Sequence, residues 1–353
     1  MSLSILDVAS TLPSFFLNPW VNGLILGIMV LGVFISFRVL NIADLSVEGI
    51  IPMVAMLSVA MINANINPWL VILISMGIGA VCGIINSLLT TYLKIPPLLS
   101  GIIVMALTFG IAIMINSLNA GQVSFDATTH LTAFNWLRNL LGDISKDRTY
   151  LVYASYLSYI LVALVVMLVL WFALYFFFGT ELGMSIRAAG KNPAMARANG
   201  INVNLMNMLA LALSGALIGA SASLYGQHNG MALPTDGQGM IVIALSSLFL
   251  GEILLGHKDF KRSLISVAVG SLVYWYIIQV LMLIDTQGFM LSIYKALLLV
   301  VILGLQIGIS EFRKRHPRKP SGTKGSENNQ NQVEGPSLKE SIVRHCLGET
   351  TVC

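Results

Sequence analysis

Nine apolar stretches dominate this chain, near residues 20–37, 49–62, 68–90, 97–118, 150–178, 204–226, 240–255, 264–284 and 290–309. About 20 apolar residues suffice for a helix to cross a hydrocarbon layer of about 30 Å. Inside lipid, only helices and closed barrels satisfy their own backbone. The expectation is an all-α, polytopic membrane protein of about nine transmembrane helices. Charge supports it: 10% of the 353 residues are Asp, Glu, Lys or Arg, against about 25% in soluble domains. Aqueous enzyme folds are excluded, and no nucleic-acid partner is expected.

The basic residues set an orientation, because cytoplasmic loops collect Lys and Arg. With the C-terminus placed inside, 16 of the 20 basic residues fall on that side. They include Arg38, Lys94, the set Arg187, Lys191 and Arg197, and the set Lys258, Lys261 and Arg262. Arg138, Lys146 and Arg148 fall in the one long outer loop, 119–149, and Lys295 lies within the last span. The count predicts nine spans, N-out and C-in. The N-terminus lacks the basic region of a cleaved signal, so the first apolar segment is expected to stay as a span.

A composition change follows Ile309. The run from Glu311 to Pro320 is a basic stop, and 321–353 is polar, rich in Ser, Asn, Gln and Gly, and read as disordered. The division expected is a membrane domain, 1–310, and a cytoplasmic tail, 311–353. Cys82, Cys346 and Cys353 form neither a disulfide framework nor a zinc spacing. His130, His228, His257, His316 and His345 are scattered, and no nucleophile or metal motif is present. The chain is expected to bind no cofactor and to catalyse no reaction itself.

One cytoplasmic connection, 179–203, is longer than the rest. It reads as two short helices, the first near 182–189. Asn192 is a good N-cap with Pro193 at the first helical position, and Gly200 after Asn199 is a good stop. Ala194, Ala196 and Ala198 would let another protein approach closely, and Arg197 would reach an acidic partner. A docking helix for a cytoplasmic partner is favoured over an amphipathic connector lying on the headgroups.

Two apolar segments are short, 49–62 and 240–255. Gly49 to Gly79 spans 30 residues and Gly239 to Gly270 spans 31. The two segments are five spans apart and so oppositely oriented, the sign of a weak inverted repeat with interrupted helices. Asp44 can cap the first short helix and Glu48 lies in its first turn; alternatively, this corner lies within the membrane beside a solute path. Glu252 needs a partner near the end of its span, and Lys258, Lys261 and Arg262 are near in sequence. Lys295 either snorkels outward or meets an acidic group. Gly215, Gly219, Ala220, Ser221 and Ser223 make a small-residue face, for packing or for lining a path. Asn41, Asp44, Ser46, Glu48, Ser214 and Glu252 are the candidates for a path or its gating. No charged cavity suited to a highly charged solute is evident, which favours neutral or zwitterionic cargo.

The stretch 183–203 resembles the coupling segment of binding-protein-dependent ABC permeases of the branched-chain amino acid and ribose class. Asn41-Ile-Ala-Asp-Leu-Ser-Val-Glu-Gly49, Lys94-Ile-Pro-Pro-Leu-Leu-Ser-Gly101 and Leu250-Gly-Glu-Ile-Leu-Leu-Gly256 resemble the same family in the same order. The wording around Asp44 and Pro96 looks closest to an aromatic amino acid branch. The resemblance covers roughly residues 20–310.

It implies a permease subunit in a bacterial inner membrane, with a second permease subunit (a homodimer or a similar paralogue) as partner. It also implies a cytoplasmic ATPase that holds ATP and magnesium, and an external solute-binding protein. Arg187, Lys191, Asn192, Pro193, Ala194, Arg197 and Gly200 would then carry ATPase coupling. Gly190-Lys191 does not begin a phosphate loop, since Asn192 follows where Ser or Thr is required. An amino-acid-like solute is favoured; a sugar, nucleoside or vitamin is the alternative cargo. A self-sufficient secondary transporter or channel is the competing class, and it would need no docking segment.

Overall fold

The structure, a computed structural model, describes residues 5–118, 123–125, 132–134, 148–256, 260–284 and 291–315. It divides into a compact unit, 1–308, and a second unit, 309–353, of which only the last turns of a helix are described. Helix α1 (Ile5–Phe34) continues into a π-helical turn, Ile35–Val39. Then come α2 (Val47–Asn63), α3 (Pro68–Thr91), α4 (Pro97–Leu118) and α5 (Arg148–Phe177). Two short helices follow, α6 (Glu181–Lys191) and α7 (Pro193–Ala198). Then come α8 (Val203–Asn229), a 3₁₀ turn (Pro234–Gly237), α9 (Met240–Leu255), α10 (Phe260–Ile284) and α11 (Leu291–Arg315).

Seven of the described helices are long and apolar enough to cross a membrane. Two more apolar helices, Val47–Asn63 and Ile293–Gly308, are shorter. The expectation of helices alone needs one correction. β1 (Val123–Ser124) and β2 (Met231–Ala232) pair antiparallel, and Asn63 at the end of α2 donates to the Ser124 carbonyl at 2.9 Å. The long loop's remaining residues and the tail from 316 onward lie outside the described residues.

Local chemistry explains the helix starts. Asn67 accepts from the Trp69 amide at 3.1 Å with Pro68 at the first position, and Asn202 accepts from the Leu205 amide at 3.3 Å. Packing explains the rest. The backbones of α3 and α8 touch at Gly79, Gly83, Gly215 and Gly219, so closely that a Cβ at any of them would strike main chain of the other helix. The small-residue face of α8 therefore serves packing. Lipid offers no hydrophobic drive between helices, so such close approach is what associates them.

The contacts repeat with the halves exchanged. Helix α3 lies on α8 while α10 lies on α1, and α1 crosses α8 itself. Ser214 donates to the Gly32 carbonyl at 2.8 Å and Ser221 to Ile25 at 2.7 Å, so α1 and α8 run antiparallel. Gly49 packs on Met105 and Thr108 of α4, and Gly239 faces Lys295 of α11. In these contacts α1 corresponds to α8, α2 to α9 and α3 to α10. In each half a long helix is followed by an irregular segment and then a short helix of 17 or 16 residues.

Candidate functional site

The irregular segments run inside the bundle. Asn63, at one end of α2, holds the strand pair. Near its other end, Gly237 lies against the Glu48 carbonyl and the Pro52 ring. Pro52 has no N–H to give that carbonyl, so the helix is open there and Gly237 fills the gap. Asn63 and Glu48 are 15 residues apart, about 22 Å along a helix. The chain from β2 to Gly237 therefore follows α2 inward, and α9 begins deep in the bundle rather than at its rim.

Asp44 organises the matching segment of the first half. It is buried, and its Oδ1 accepts from the Ser46 amide and from Asn86 Nδ2 of α3, both at 2.9 Å. Ser100 of α4 donates to Asn86 Oδ1 at 2.6 Å. The N-cap of α2 is Ser46, not Asp44; the carboxylate takes the cap residue's own amide and ties the corner to α3 and α4. Asn41 leaves the π-helical turn in a left-handed conformation, φ 56°, which asparagine tolerates better than most residues.

Helix α9 is held at both ends by this corner. Its N-cap, Gly239, has no side chain to offer. The Glu48 carboxylate, carried on α2, instead lies beside the amides of Gly239 and Ile241. A carboxylate there also meets the positive end of the helix dipole. At the other end Glu252, 3% exposed, accepts both arms of the Arg38 guanidinium from the π-helical turn. Gln306 of α11 donates to Glu252 at 3.3 Å.

This corrects the expected pairing of Glu252. Lys261 instead lies over the Tyr175 ring, 5.0 Å from its centroid, and Lys258 lies outside the described residues. The reason is packing between helices distant in sequence: Phe37 meets Phe249 edge-on and brings Arg38 beside α9. Of the two alternatives for Lys295, the structure has the one in which it meets acidic groups. Lys295 of α11, half-buried, lies in the field of both Glu48 and Asp236. The three groups surround the start of α9. Ser214 is taken up by its bond to Gly32.

The segment 179–203, expected to dock a partner, is built mostly from itself. Thr180 caps α6 by accepting from Gly183 N at 3.3 Å, and Asn192 caps α7 by accepting from Met195 N at 3.1 Å. Beyond Asn199, Gly200 at φ 79° donates to Arg197 O and Ile201 donates to Ala196 O, both at 3.0 Å. That crossed pair is a complete C-terminal Schellman stop. Ala194, Arg197 and Ala198 are exposed, but Ala196 is buried against the chain's own body. Met195, 63% exposed, projects instead, with Leu182 and Met184 exposed on α6. These apolar knobs escaped the reading of an alanine-rich turn.

Inward, α6 buries Gly183, Ile186 and Ala189, and the Arg187 guanidinium lies over the Phe260 ring of α10 at 5.2 Å. Gly190 rests on the backbone of Val39 and Leu40, with no room for a Cβ. The segment thus touches the turn that carries Arg38. Among the described residues, no three His, Cys, Asp or Glu side chains are placed to hold a metal.

The chain matches the family described as branched-chain amino acid transport system / permease component over residues 15–308. It is 28% identical over 282 residues to the tyrosine transport system permease protein of Clostridioides difficile, covering 80% of this chain and 88% of that one. It is 23% identical over 307 residues to the ribose import permease protein RbsC of Escherichia coli, covering 85% and 89%. The nucleoside ABC transporter permease protein NupC of Lactococcus lactis is 27% identical over 217 residues, 58% and 65% of the two chains. No solved structure matches. The chain belongs to the branched-chain amino acid transport system permease family, as a multi-pass protein of the bacterial inner membrane.

Proposed function

We propose that this chain forms the translocation path of an ATP-driven importer and receives a small amino-acid-like solute from an external binding protein. The observation that carries the proposal is the segment 179–203. It is a rigid element, capped at each helix start, that presents Met195 and Arg197 outward while Gly190 and Arg187 grip the membrane helices. A self-sufficient transporter has no use for such an element. ATP and magnesium sit on a separate ATPase, whose closure moves α7 as a lever. Two permease subunits, each of nine spans with N-out and C-in, enclose the path. The tail from 311 anchors orientation.

The solute reading rests on charge. Lys295 faces Glu48 and Asp236 where α2 and α9 begin. One cation beside two carboxylates suits a zwitterion better than a sugar. The tyrosine permease among the relatives favours the same class.

The test is co-purification and uptake. The chain co-purifies with an ABC ATPase, and reconstituted uptake requires ATP and the loaded binding protein. Uptake by the chain alone, driven by an ion gradient, would establish a secondary transporter instead. For topology, Lys191→Cys stays unlabelled from outside in sealed cells, while cysteines placed between 125 and 148 are labelled.

A further inference from the structure

The segment between Arg38 and Glu48 joins three things that the functional reading treats separately. Its first residues, Arg38 and Val39, close the π-helical turn, a geometry that often marks functional sites. The backbone of that turn is the surface on which Gly190 of the docking segment sits. Its two charged ends meet one helix: Glu48 lies beside the amides that open α9, and Arg38 binds Glu252 near its close. The charges also match the helix dipole, negative at the N-terminus and positive near the C-terminus.

Gly239 and Glu252 are 13 residues apart, about 20 Å of helix. The ten residues from Arg38 to Glu48 span up to about 33 Å when extended, so the segment can reach along α9 from one end to the other. Asp44 pins its middle to Asn86 of α3.

We infer that residues 38–48 are the transmission element of this permease, and that Arg38 is a positioning residue that passes displacement of the docking segment to α9. The inference rests on the proposed function and names the contact through which it works. Motion of α6 reaches the Val39–Leu40 backbone through Gly190, where no flexible side chain intervenes to absorb it. Arg38 then drags or releases Glu252. Because Glu48, on α2, stays beside the opposite end, α9 pivots about its start, and the space around Lys295 changes shape. Arg187, resting on Phe260, steadies α6 against α10 during that motion.

The test uses the full chain reconstituted with its ATPase and binding protein, with solute uptake and ATP hydrolysis measured together. Arg38→Glu and Glu252→Arg each place like charges together, and each lowers the amount of solute imported per ATP by about tenfold. The double exchange, Arg38→Glu with Glu252→Arg, recovers most of that ratio, as direct contact requires. Should the single variants fail to insert, the paired neutral variant Arg38→Gln with Glu252→Gln leaves no unpaired charge behind. It assembles, and its uptake per ATP falls severalfold. Normal uptake per ATP in the neutral pair overturns the inference, because a purely structural bridge would change the amount of complex and not the ratio. A native chain that neither binds an ATPase nor needs ATP overturns the functional reading, and the inference with it.

Discussion

The docking segment and the Arg38–Glu48 corner are neighbours held by opposite means. The docking segment closes its hydrogen bonds within a few residues: Asn192 to Met195, Gly200 to Arg197, Ile201 to Ala196. Its outer face is exposed and its inward grip is small. The corner closes partly on itself, through Asp44 and the Ser46 amide, but its charged groups also reach distant helices. Asp44 is satisfied by Asn86, Glu48 by the start of α9, and Arg38 by a residue 214 positions away. Under the proposed function, a segment that docks on another protein does well to keep its shape alone. A segment that relays motion between helices is instead made of contacts to those helices.

The contrast breaks first at the ion pair. Arg38→Ala strands the Glu252 carboxylate, 3% exposed, without its guanidinium. Removing one partner of a buried pair costs about 3–5 kcal/mol. The expected outcome is a large fall in thermal stability of the detergent-solubilised protein; an unchanged midpoint would mean that Gln306 and water suffice. Glu252→Ala costs less, since Arg38 is 35% exposed and can turn to solvent.

Glu48→Ala comes next. It opens the start of α9 and removes a carboxylate from the dipole, with an expected cost of about 1–2 kcal/mol. Glu48→Gln keeps one acceptor and should lose less. Equal losses in the two variants would show that charge, not the hydrogen bond, holds the helix end.

Gly200→Val acts on the other region and should stay there. A β-branched residue in the left-handed conformation costs about 1–2 kcal/mol, and nothing lies near enough to clash. The stop of α7 should fray while the membrane helices remain folded. A pull-down should show weaker ATPase binding at unchanged expression; a loss of expression would mean that the two regions are not independent.

The smallest effect on the fold is expected from Met195→Ser, because an exposed side chain without partners changes stability by no more than about 0.5 kcal/mol. Its effect should appear in ATPase affinity alone. If affinity is unchanged while Arg197→Glu weakens binding, recognition is carried by charge and not by the apolar knob.

Much of this architecture was legible in the chain because lipid and helix ends obey local rules. Continuous apolar runs mark helices that cross lipid, and Asn-Pro and Asn-Gly pairs mark where short helices begin and stop. Thus the two capped helices within 179–203, both short apolar helices and the spacing of their glycines could be read from residue order. Partner choice could not. Lys258, Lys261 and Arg262 were the near neighbours of Glu252, yet Arg38 took it, because the close packing of α1 and α9 places Phe37 on Phe249. Glu48 read as a first-turn charge of its own helix, yet its carboxylate lies beside the first amides of α9, whose glycine N-cap has no side chain to offer. The inward face of Ala196 and the outward reach of Met195 depend on how α7 is rolled against α8. Residue order specifies which groups need partners in a membrane; only the packing of helices far apart in the chain decides which partners they meet, because in lipid the stabilising contacts are close backbone approaches and buried polar bonds.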